Sequence, residues 1–299
     1  MALGGVWISV TLLASSAQTL RNAMQRDLIG ALGAVGAAQV RFLFGLPFAV
    51  MFLAGLMAVS GLSAPRLTAA NLAWTVFGAA SQVIATSLML AAMRTKSFVV
   101  AVAYTKTEAA QIALFGLIAL DNPPTAALIA AIALATMGVA LMAIRSRKEL
   151  TGDWRSAALG LMSATFFAFA AIGFRSAVIG VDSPSRVLAA SVILVVGLAI
   201  QSASLGLYLA AFDRARARAI IEAWRSSLFA GFMGAFASQL WFVAFALSEA
   251  APVRTLALIE VPMAQVVSLK MFREPPSLRE GLGISLIVIA AGILVWTAR

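Results

Sequence analysis

Apolar residues recur along this chain in runs of about 20, separated by short polar breaks. Ten runs can be set down, at approximately residues 4–20, 33–60, 69–92, 97–120, 124–144, 156–175, 184–211, 226–247, 252–271 and 278–297. A helix of about 20 residues crosses the roughly 30 Å hydrocarbon core of a bilayer. Ala, Leu and Gly dominate and no ten-residue alternation appears, so strands of a membrane barrel are not expected. The spans are expected to be helices, because a backbone facing lipid must satisfy its own hydrogen bonds. Pro123-Pro124, Pro184 and Pro275-Pro276 stand at the starts of runs, where a missing N–H costs nothing. Pro47 and Pro262 fall inside runs and predict bends. The first run lacks a basic leader, so it is expected to stay as a span and not be cleaved.

The pattern also repeats. Lys106 and Glu260 are separated by 154 residues, and so are Gln111 and Gln265. Each copy then has a charged turn, Asp121-Asn122 or Arg273-Glu274, a double proline and a further apolar run. Ser81-Gln82 echoes Ser238-Gln239, Leu20-Arg21 echoes Phe174-Arg175, and Arg41 echoes Arg186, all in one order. The polar segment from Arg145 to Arg155 reads as the linker between halves, here divided as residues 1–147 and 148–299. Five spans per half is odd, so successive copies enter the membrane from opposite sides. The expected fold class is an all-α membrane protein of ten transmembrane helices, arranged as two inverted-topology five-helix repeats with a midplane site between them.

Composition agrees: 62% of the 299 residues are hydrophobic and 11% charged. The net charge of +10 lies in short connections between runs, so a nucleic-acid partner is not expected. Connections 1–2, 3–4, 5–6, 7–8 and 9–10 carry 15 Lys and Arg against 5 on the other side, with Arg41 and Lys106 counted as intramembrane. That bias predicts a multi-pass protein of the cell inner (plasma) membrane with both termini periplasmic. With no Cys and no His, thiolate and imidazole chemistry and the usual metal sites are gone, so neither enzyme nor metal nor cofactor is expected.

Charge at membrane depth usually faces a cavity or a partner. Lys106 and Glu260 hold equivalent positions and opposite charge. They read either as part of a site or as a buried lock between halves. On a continuous helix Glu108 would lie on nearly the opposite face from Lys106 and share a stripe with Tyr104 and Gln111. Glu108 is also a proton-carrier candidate. Gln82 and Gln239 offer amide donors and acceptors, or tie helices together. Trp241 offers a stacking face, or an interfacial anchor. The candidate substrate-binding set is Gln82, Tyr104, Lys106, Glu108, Gln239, Trp241 and Glu260. Ser15, Ser16 and Gln18 make the end of the first run polar. Arg41 is expected to snorkel to the cytoplasmic surface, the alternative being that it holds an acidic substrate group.

Glu260-x-Pro262, the Arg273-Glu274 turn and the Gly281-Leu282-Gly283 and Gly292 helix resemble the drug/metabolite transporter superfamily, and within it the EamA-type permeases. The resemblance spans both copies and is stronger in the second. The first has Lys106-Thr107-Glu108 where the pattern has Glu-x-Pro, and Asp121-Asn122 where it has a Gly-Glu turn. It implies ten helices, a central cavity and secondary export of small metabolites, often amino acids. The missing P-loop agrees with secondary transport. Lys106 beside the acids suits a zwitterion; export of drugs or lipid-linked molecules is the alternative. Membrane lipids and a small-molecule substrate are the expected partners of a monomeric chain.

Overall fold

The computed structural model describes residues 5–94, 98–119, 125–143 and 154–297. Among them every regular element is helical. Lys96, the Asp121-Asn122-Pro123-Pro124 turn and most of the 145–155 linker lie outside the described residues.

The first helix, α1 (Val6–Ser60), holds the first two apolar runs in one trace of 55 residues. Straight, it would extend about 80 Å, far more than a bilayer is thick. It is not straight. Gly33 has φ +67° and ψ 172°, a conformation essentially confined to glycine. The Gln25 amide donates to the Ala37 carbonyl at 2.8 Å. Residues 12 apart on a straight helix would stand about 18 Å apart, so α1 doubles back at Gly33 as a hairpin. Arg216 packs where a Cβ on Gly33 would sit, with its Nε 3.3 Å away.

This corrects the expected connection at residues 21–32, which is helical and carries buried Arg21, Asn22, Gln25 and Leu32. The sequence held the signal. Thr11, Ser15, Gln18, Asn22 and Gln25 form one polar stripe at helical spacing, running straight through the assumed loop.

Next come α2 (Ala69–Ala92), begun by a Thr68–Asn71 capping box, α3 (Phe98–Thr105), α4 (Glu108–Ala119) and α5 (Ala126–Ala143). The second half has α6 (Trp154–Ile179), α7 (Arg186–Phe212), the short basic α8 (Arg214–Glu222) and α9 (Trp224–Leu247). It closes with α10 (Ala250–Leu256), a 3-10 turn over Ala257–Ile259, α11 (Glu260–Met271) and α12 (Leu278–Thr297).

Among the described residues six helices are long and apolar enough to cross a membrane: Val6–Ser60, Ala69–Ala92, Arg155–Ile179, Arg186–Phe212, Trp224–Leu247 and Ala250–Met271; Ala126–Met142 is a shorter apolar one. Leu13, Met51, Leu207 and Phe212 are exposed, while Arg21, Arg41, Lys106, Glu108, Arg254 and Glu260 are buried. Apolar outside and ionic inside is the distribution of a protein embedded in lipid.

Small residues set the packing. Both arms of α1 lie against α9, α2 against α6, and α5 against α12. A Cβ on Gly138 would stand 2.5 Å from the Gly283 carbonyl oxygen, so α5 and α12 cross with backbones touching. A Cβ on Gly173 would stand 2.9 Å from the Gly78 backbone, so α2 and α6 also pack closely.

Candidate functional site

The fourth and ninth apolar runs are each interrupted, and at matching places. After α3 the chain turns at Lys106 and Thr107, whose amides donate to Ala103 and Tyr104, three residues back. After α10 it tightens into the turn at Ala257–Ile259 and restarts at Glu260. Pro262 has no N–H for the Leu258 carbonyl, which favours this tightening. The breaks put Glu108 and Glu260 at the first turns of α4 and α11.

Lys106 Nζ lies 2.7 Å from Glu260 Oε2, and both side chains are sealed from solvent. Gln18, from the first arm of α1, donates its amide to both Glu260 oxygens at 3.0 and 2.9 Å. Its own oxygen accepts from the Trp241 indole N–H at 2.8 Å. Glu108 Oε1 takes Arg254 Nη1 at 3.3 Å, with Lys106 Nζ at 4.0 Å. The Arg254 guanidinium lies 4.5 Å from the centre of the Trp241 ring, a cation–π contact. Residues from α1, α4, α9, α10, α11 and the Lys106 turn thus meet in one ionic cluster. The space left at its centre holds about one water molecule. It is bordered by Gln18, Asn22, Lys106, Glu108, Arg254 and Phe167.

Beside it lie two more buried cations. Arg21 Nε and Nη2 donate to Asn22 Oδ1 at 3.2 and 2.7 Å. Arg41 donates to Thr86 Oγ1 at 3.3 Å and Ser238 Oγ at 3.1 Å. The expectation that Arg41 snorkels is therefore overturned. The hairpin in α1 turns its guanidinium inward, 2% exposed, where two hydroxyls receive it.

Four of the seven expected site residues, Lys106, Glu108, Trp241 and Glu260, come together here. Gln82 accepts from Gln201 at 2.8 Å, and Gln239 donates to Ser191 Oγ at 2.9 Å. These amides tie α2 and α9 to α7. Tyr104, on α3, is buried against α6, filling the space over Gly160. The expected opposition of Lys106 and Glu108 fails because the turn between them ends the helical register on which it rested. Trp241 is 3% exposed and buried, so it is no interfacial anchor.

Gln18, Arg21, Asn22 and Arg254 were not among the expected residues. The polar stripe on α1 could have found the first and third. Arg254 was assigned to a connection, although it stands inside the ninth apolar run. Removing Arg21 and Arg254 from the charge count as buried leaves 14 basic residues against 4, so the bias stands.

No protein-family model and no curated protein matches the chain. Fifteen chains of solved structures are similar. One, described only as the crystal structure of a protein, superposes on 95% of this chain and 97% of its own with a TM-score of 0.67 at 13% identity. At that identity the likeness is one of fold, and it extends along nearly the whole chain.

Proposed function

We propose that this chain is a secondary transporter of the inner membrane that exports small amphipathic metabolites, amino acids foremost, by alternating access between two inverted five-helix repeats. The observation that carries the reading is the buried Lys106–Glu260 pair, made by residues at matching breaks in two interrupted helices. Broken helices that present charge at membrane depth are how many transporters build a substrate site.

The packing supports the repeat. Exchanging the halves maps the first arm of α1 on α6 and α2 on α9, which makes the α1–α9 and α2–α6 contacts counterparts. The α5–α12 crossing at Gly138 and Gly283 is then its own counterpart. The drug/metabolite transporter resemblance of the Glu260-x-Pro262 segment fits the same picture. On this reading the one-water cavity is the closed form of the site, and rocking of the repeats widens it toward one face and then the other.

The test is efflux from proteoliposomes loaded with a panel of radiolabelled amino acids and related metabolites. Efflux above that from empty vesicles, lost in Glu260→Gln, is the expected result. No efflux of any compound would refute the reading.

A further inference from the structure

Among the described residues the charges buried around the central cluster do not balance. Within the α1, α4, α9 and α11 interior stand four buried cations, Arg21, Arg41, Lys106 and Arg254, and two buried carboxylates, Glu108 and Glu260. The third buried carboxylate among the described residues, Glu280, accepts the Ser277 amide at the start of α12. Each interior acid already has its cation: Glu260 has Lys106, and Glu108 has Arg254. Both Glu260 oxygens are further taken by Gln18. Among the described residues Arg21 and Arg41 donate only to neutral acceptors, Asn22, Thr86 and Ser238.

These two arginines are neighbours. A Cβ on Gly234 would stand 3.0 Å from Arg41 Cγ and 3.6 Å from Arg21 Cδ, so both side chains lie over the same bare spot on α9. Arg41 lies within electrostatic reach of Arg21 and Arg254, while Arg21 also feels the Glu260 carboxylate, which Lys106 and Gln18 already engage. Arg21 Nη1 and Arg41 Nε have no hydrogen-bond partner among the described residues. Two like charges packed together, short of acceptors and shielded from water, are costly unless an anion joins them. A guanidinium fork is the group that suits carboxylate oxygens best.

The arrangement is also lopsided. Arg175 and Arg186, the echoes of Arg21 and Arg41 in the second half, end on backbone carbonyls: Arg175 at Phe245 and Ser248, Arg186 at Ile179. A packing role shared by the repeats would not single out one pair.

We propose that Arg21 and Arg41, side by side over Gly234, form a carboxylate-binding cleft that makes the substrate a small organic anion, a dicarboxylate or an acidic amino acid. This rests on the transport reading for how the ligand enters, through Asn22, which borders both the central cavity and Arg21. A dianion cancels the excess of two positive charges. A neutral zwitterion leaves it in place.

The experiment is binding to the purified full chain in nanodiscs, read by calorimetry and by ligand-induced thermal stabilisation. The probes are succinate, aspartate, succinamide, alanine and inorganic phosphate. Succinate and aspartate should bind, while the diamide and alanine should bind at least about tenfold more weakly. Arg41→Gln and Arg21→Gln should each weaken succinate at least about tenfold, with Arg41→Lys intermediate. Without ligand, Arg41→Gln should melt no lower than the wild type, because it removes a repulsion; a packing arginine would give the opposite.

Equal binding of succinate and succinamide to the wild type would overturn the proposal, whether or not the variants fold. So would binding of phosphate alone, or unchanged succinate affinity in a folded Arg41→Gln. Efflux of neutral amino acids with anions excluded would leave transport standing and remove this cleft. Succinate binding without efflux of any compound would keep the cleft and remove transport.

Discussion

The Lys106–Glu260 pair allows a test that separates a lock from a site. At 2.7 Å and an effective dielectric constant near 20, the attraction is about 6 kcal/mol. Taking both ions out of water costs several kcal/mol apiece, so the pair as a whole is close to break-even. Removing one partner is different, since it strands the other charge, at about 3–5 kcal/mol. In Lys106→Met, Gln18 still donates twice to Glu260, which argues for the lower end, about 3 kcal/mol. Lys106→Met/Glu260→Gln removes both charges and should return to within about 1 kcal/mol of the wild type. The assay is reversible unfolding of the full chain in mild detergent at neutral pH, for both single variants and the double. A single loss under about 1 kcal/mol, or a double variant no better than the sum, would refute the claim of a tightly coupled buried pair. Efflux then decides the role. A stable double variant without efflux makes the pair part of the substrate site, and restored efflux makes it a lock only.

Other expectations follow from single residues. Gly33→Ala should cost about 1–3 kcal/mol in the same assay, because φ +67° with ψ 172° excludes a Cβ and Arg216 occupies its place. Arg273→Gly should gain about 1 kcal/mol, since Arg273 sits at φ 56° in the left-handed region and glycine removes that strain. Burial by itself would raise the Glu274 carboxyl, but bonds from Arg26 and Ser268, the Arg26 charge and the Phe98 amide together hold it below the usual range. A depressed carboxylate contributes stability above its unfolded pKa, about 4.3, and loses it as pH falls through the lower folded value. Thermal stability from pH 7 to pH 3 should therefore fall less in Glu274→Gln than in the wild type.

Much of the fold was legible from the chain. Hydropathy over about 20 residues is a local sum, so each span announces itself without knowledge of its neighbours. The marked positions Lys106 and Glu260 were legible because a charge inside such a sum is rare and the two echo each other. What failed was reasoning that carried one helical register too far or stopped it too soon. Continuing it through Lys106 and Thr107 set Lys106 and Glu108 on opposite faces, when a turn brings them to 4.0 Å. Stopping it at Leu20 made a loop of a buried helix and put Arg21 and Asn22 outside the span.

The amino-acid sequence by itself determined that this is an apolar helical chain for a membrane, with a few charges that must find partners inside. Beyond the Lys106–Glu260 pair, which partners they find was settled by tertiary structure alone. Glu108 meets Arg254 across 146 residues, Gln18 meets Glu260 across 242, and Arg21 and Arg41 meet because one glycine folds α1 back on itself. Pairing energy depends on distance in space, and only chain reversals and helix crossings convert separation along the sequence into that distance.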